Sequence, residues 1–150
     1  MSAVRVGDVR RVLDQAYPPH LAEKWDAVGL ICGDPADEVR TVAFALDCTQ
    51  EVADRAVELG ADMLVVHHPL LLRGVESVAA DTPKGKVVHT LIKNGVALLP
   101  PTPTPIRPGP GLTISSRSSW ALLRGGPSCR RSQRPSISGE CIFLQAVRSR

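Results

Sequence analysis

Apolar and polar positions alternate in blocks along the first 99 residues, and each block has the period of one element. Val6, Val9, Val12, Leu13 and Ala16 recur at helical spacing, with Asp8 near the start and Tyr17-Pro18-Pro19 as the stop. Asp26 to Leu30 reads as an irregular or short-strand segment that ends at Gly33-Asp34-Pro35. Thr41-Val42-Ala43-Phe44-Ala45-Leu46 is a nearly continuous apolar run, as expected of a strand buried on both faces. Thr49 is a good N-cap, and Val52, Ala56, Val57 and Leu59 fill out a helix that Gly60 ends. Met63-Leu64-Val65-Val66 is a second buried strand. Thr82-Pro83 opens a helix lined by Val87, Val88, Leu91 and Ile92, which Asn94-Gly95 closes. Val96 to Leu99 is a third strand.

Strand, helix, strand, helix, strand with short turns predicts an α/β fold, a partial parallel sheet covered by helices. Its crossovers should be right-handed.

Composition divides the chain of 150 residues after Leu99. Residues 1–99 carry a net charge of −4 and all four histidines, whereas residues 100–150 carry +7, with eight arginines and no lysine. Eight of the 13 prolines also lie in the second part. The overall charge of +3 therefore describes neither part. This gives two segments, a domain over 1–99 and a Pro/Arg/Ser-rich tail over 100–150 whose composition predicts disorder. The tail's arginines are scattered, and Trp120 and Phe143 are too few aromatics for a stacking platform, which argues against nucleic acid as a partner. No apolar run reaches the ~20 residues of a membrane span, and no signal-peptide core follows Met1, so a cytoplasmic location is expected. Cys32, Cys48, Cys129 and Cys141 have no CxxC spacing, which argues against a zinc ribbon or a disulfide framework.

In open α/β sheets, ligands collect outside the carboxyl ends of the strands. Asp47 follows the first strand there, and His67-His68 follows the second. Adjacent residues leaving a strand point in different directions, so one metal is poorly placed to take both imidazoles. Two neighbouring metals could take one each, as in a dinuclear water-activating centre. Pro69 would stiffen the exit. The same pair is compatible with a solvated turn or a satisfied buried pair, and two histidines are too few for a closed site. His20 and His89 have no such partners and read as surface or packing residues.

The residues Trp25-Asp26-Ala27-Val28-Gly29-Leu30, Ala45-Leu46-Asp47-Cys48-Thr49, Glu58-Leu59-Gly60-Ala61-Asp62 running through Val66-His67-His68-Pro69-Leu70, and Lys93-Asn94-Gly95-Val96 carry a resemblance. In order and spacing, residues 1 to about 99 resemble the GTP cyclohydrolase 1 type 2 homologue family, also described as Nif3-like dinuclear metal-centre proteins. Ala27 departs from the family's usual Asn. The resemblance implies a ring-shaped homohexamer whose metal sites face an inner cavity and a nucleotide-like substrate. It also implies two divalent ions per chain, with zinc, iron or manganese as candidates, held in part by His67 and His68. The implied reaction is attack of metal-activated water on a purine nucleotide ring or a related bond.

The family's third ligand is an Asp in a His-Thr-Asn-x-Asp motif after the strand that here ends at Leu99. Its last two ligands are a His and a Glu near the end of a longer chain. None of the three is present, and after Leu99, where the motif is expected, the chain reads Pro100-Pro101-Thr102-Pro103-Thr104-Pro105. A reading frame moved back by one base accounts for the replacement. Each pair of residues from Pro101-Thr102 to Pro105-Ile106 then permits, in turn, His, Thr, Asn, Ala and Asp. Residues 108–111 permit Arg-Pro-Gly, and 112–114 permit Asn-Asp. The tail is therefore expected to be the family's gene out of frame, and the chain a truncated, metal-hydrolase-like member with an impaired metal site. Such a fragment should expose apolar surface and an open sheet edge, and so be marginally stable. A non-enzymatic metal-binding, interaction or scaffold protein is the alternative.

Overall fold

The computed structural model describes residues 3–22, 24–101 and 143–146. Helix α1 (Val6–Ala16) is followed by a short 3-10 turn at Pro19–Leu21. The alternation then runs β1 (Thr41–Ala45), α2 (Gln50–Glu58), β2 (Met63–Val66), α3 (Pro83–Lys93) and β3 (Ala97–Leu99). A last strand, β4, spans Phe143–Ala146. The sheet order is β3-β2-β1-β4, with β1, β2 and β3 mutually parallel and β4 antiparallel to β1. The predicted α/β class holds.

Strand alternation divides the core in two. Ala43, Ala45, Leu64, Val66 and Leu98 face α2 and α3 and pack with Val52, Ala53, Ala56, Val87 and Leu91. Val42, Phe44, Met63, Val65, Ala97 and Leu99 face the other way and pack with Val6 and Leu13 of α1. Every named residue of β2 and β3 is buried, which is why these strands read as unbroken apolar runs rather than alternating ones.

The predicted helix boundaries rest on visible caps. Thr49 Oγ1 accepts from Val52 N–H at 3.2 Å, and Thr82 Oγ1 accepts from Gly85 N–H at 3.1 Å. At the end of α3, Gly95 adopts φ +68°, and the Val96 N–H donates to Leu91 O at 2.9 Å. Several apolar assignments differ. Val12, Ala16 and Ile92 are exposed, because the helix faces that meet the sheet are narrower than the sequence pattern suggested, and Leu46 is 52% exposed because β1 ends at Ala45.

Both sides of the three parallel strands carry further chain. Along β3, Gly29 N–H donates to Pro100 O, Ile31 N–H to Leu98 O, and Leu98 N–H to Cys32 O, at 2.9–3.0 Å. The irregular segment 29–32 thus lines that edge. On the far side, β4 pairs with β1 in the register Phe44↔Phe143 to Thr41↔Ala146. Within a tail expected to lack order throughout, this short segment, which includes Phe143 and Leu144, completes the hydrogen bonding of β1. The rest of the tail, residues 102–142 and 147–150, lies outside the described residues, and with it the disorder expected there. Among the described residues no helix is long and apolar enough to cross a membrane.

Candidate functional site

Asp47 and the two histidines leave adjacent parallel strands at their carboxyl ends. The β1–β2 register pairs Ala45 with Val66, and the same offset of 21 residues sets Asp47 opposite His68. Beyond the strands the backbones stay joined, His67 N–H donating to Ala45 O at 3.2 Å and His68 N–H to Leu46 O at 2.9 Å. Asp47 Oδ1 then lies 2.6 Å from His68 Nδ1. This is the short length of a charge-assisted hydrogen bond. Both side chains remain open to solvent, His68 by 55% and Asp47 by 42%.

The chain bends at His67 and His68 instead of continuing as a strand. The bend overrides the alternation that predicted diverging rings. The imidazole centroids are 4.9 Å apart and tilted by 45°, within the range of an aromatic contact. His67 keeps an exposed edge, yet desolvation of its ring pulls its pKa below the ordinary histidine value. The neighbouring His68 adds to that, while Asp47 and Asp26 act in the opposite direction. Asp26 thus belongs to the electrostatic surroundings of His67, a role that its sequence separation of 41 residues concealed. Its only sequence signal was membership of the Trp25-Asp26 pair. Trp25 itself is 70% exposed. His20 and His89 are exposed and stand apart from this cluster, as expected.

Among the described residues no group of three or more His, Cys, Asp or Glu side chains converges as a metal ion requires. The Asp47 oxygen nearest the pair is engaged by His68. These residues therefore do not by themselves fit a dinuclear centre. They present two adjacent imidazoles backed by one carboxylate.

The fold and this strand-end cluster place the chain among known proteins. Residues 4–101 match the model of the Duf34/NIF3 (NGG1p interacting factor 3) family, and the chain belongs to that family. It is 58% identical over 96 residues to the GTP cyclohydrolase 1 type 2 homolog of Mycobacterium bovis, covering 64% of this chain and 25% of the relative. The protein of that name from Streptomyces coelicolor is 57% identical over 94 residues, 63% of this chain and 33% of its own length. The crystal structure of the Staphylococcus aureus hypothetical protein SA1388 superposes with a TM-score of 0.64 at 39% identity, over 67% of this chain and 28% of that one. The chain thus spans a quarter to a third of the curated relatives it matches.

Proposed function

We propose that this chain is a partial, metal-hydrolase-like Duf34/NIF3 module in which His67 and His68 are the imidazole ligands of an impaired divalent-metal site. One observation carries the reading. The only two adjacent histidines sit together at the carboxyl end of β2, in the middle of the parallel strands, where α/β sheets place their ligands. The name of the relatives, GTP cyclohydrolase 1 type 2 homolog, supports a nucleotide-like substrate. Assembly into a homohexamer and a cytoplasmic location belong to the same reading. The absence of the Asp-bearing motif after Leu99, and the out-of-frame reading of residues 101–114, support impairment of the site.

Calorimetric titration with zinc and with manganese tests the proposal. Weak binding by the chain, lost in the His67→Ala/His68→Ala variant, is expected. Two tightly held ions per chain would overturn the impairment. Identical titrations of the chain and the double variant would overturn the ligand assignment and favour the non-enzymatic interaction protein. Sequencing the coding DNA across codons 95–105 tests the frame independently. A missed or added base restores the His-Thr-Asn-x-Asp motif, and an unchanged reading leaves the site without its third ligand.

A further inference from the structure

We infer that Asp47 is a positioning residue for His68, fixing the imidazole with its hydrogen on Nδ1 and its lone pair on Nε2. A carboxylate oxygen accepts and does not donate, so the 2.6 Å contact between Asp47 Oδ1 and His68 Nδ1 requires the hydrogen on Nδ1. A free neutral imidazole prefers the opposite arrangement, with the hydrogen on Nε2. The carboxylate therefore reverses the intrinsic preference of the ring and also fixes its plane. An acceptor that sets the tautomer of a histidine in this way is the usual means of presenting one chosen nitrogen to a ligand or a proton.

The pairing is built into the sheet and does not depend on a chance meeting of two surface side chains. Asp47 and His68 each stand two residues past Ala45↔Val66, the last pair of the β1–β2 register, in the bends that follow the two strands. The backbone bond from His68 N–H to Leu46 O, at 2.9 Å, holds the two chains together at that level. His67 neighbours the pair through its ring, so the two adjacent histidines are held differently, one by a carboxylate and one by ring contact. The use of the presented Nε2 rests on the proposed role of the histidine pair. The position of the hydrogen does not.

Long-range proton–nitrogen correlation spectra of the nitrogen-15-labelled full chain, recorded with chelator above the histidine titration range, read the hydrogen position directly. The peaks of His68 are identified by their loss in His68→Gln. The expected pattern has Nδ1 of His68 in the hydrogen-bearing range and Nε2 in the lone-pair range. Asp47→Ala should move both shifts toward the reverse pattern, and Asp47→Glu should restore much of the original. A wild-type spectrum with the hydrogen on Nε2 overturns the inference, and this arm stands even where the Ala variant does not fold. A pattern unmoved in a folded Asp47→Ala overturns it equally.

Zinc added to the same wild-type sample separates this inference from the metal reading. Loss of the lone-pair Nε2 signal of His68 supports both. A fixed tautomer that zinc leaves untouched removes the metal reading alone. Zinc entering through Nδ1 removes the inference alone.

Discussion

Asp62 fastens the start of β1 to the turn that leads into β2, its Oδ2 accepting from the Thr41 N–H at 2.8 Å. The Arg40 N–H donates to the same oxygen at 2.8 Å. The backbone of Asp62 joins in, its N–H donating to Thr41 O at 2.9 Å and its carbonyl accepting from Ala97 N–H at 3.0 Å. One residue thus ties the amino ends of three parallel strands. Asp62→Ala leaves the partly buried Thr41 N–H without its acceptor and should cost about 1–3 kcal/mol. Urea unfolding at constant m-value checks this, and a midpoint unchanged from the parent would refute it.

Gly33 is a second stability determinant. Its φ is +104°, and a Cβ placed there would lie 2.6 Å from Ala97 Cβ. Gly33→Ala therefore adds backbone strain of about 1–3 kcal/mol to a clash with β3. Pairing it with Ala97→Gly should recover little of the loss, because the Ala97 Cα also lies 2.8 Å from the added Cβ and the backbone strain stays. Full recovery in thermal melts would show that φ at this position is unimportant.

Burial raises the pKa of the Cys32 thiol above the ordinary value of 9.0, against a smaller opposing hydrogen bond from the Leu98 backbone. The folded chain then keeps a proton that the unfolded chain has already released. Stability associated with this thiol is fully present below pH 9 and is lost as pH rises through the folded pKa. Unfolding free energy measured across that window should fall less steeply in Cys32→Ala. Equal slopes in both proteins would rule the contribution out. Native Cys32 should also react with a thiol probe more slowly than in urea, since the thiolate is the reactive form.

β4 closes the outer side of β1 through the register Ala43↔Leu144 and its neighbours. A chain ended after Pro101 leaves that edge bare, and bare edges invite pairing with other copies. Faster amide exchange in β1 and association that rises with concentration are the expected outcomes. Sedimentation identical to that of the full chain across a dilution series would contradict them.

Much of this architecture was legible in residues 1–99. Continuous runs such as Met63 to Val66 show double-sided burial, and Thr49, Thr82 and Gly95 mark helix ends through local hydrogen bonds that need no tertiary partner. What depended on three-dimensional placement was harder to see. The exposure of Val12 and Ile92 follows from how narrow a face of each helix packs into the core, which spacing alone does not set. The closeness of the His67 and His68 rings follows from a bend that strand periodicity does not anticipate. Asp47 was visible as a strand-end residue, and its partner was not, because pairing registers are fixed by packing on both faces. Pro69 gave only a hint that the regular strand would end near the histidines.

The bond between Asp47 and His68 has a consequence for how this family module can vary. Asp47 stands two residues past Ala45 and His68 two past Val66, and those two strand ends are paired with each other. With the strand register held by the core, the crossover through helix α2 can gain or lose a residue in its turns without moving either side chain. The site is measured outward from the sheet, two residues on each strand, and a shift within Leu46-Asp47 or His67-His68 would break what a longer loop would spare.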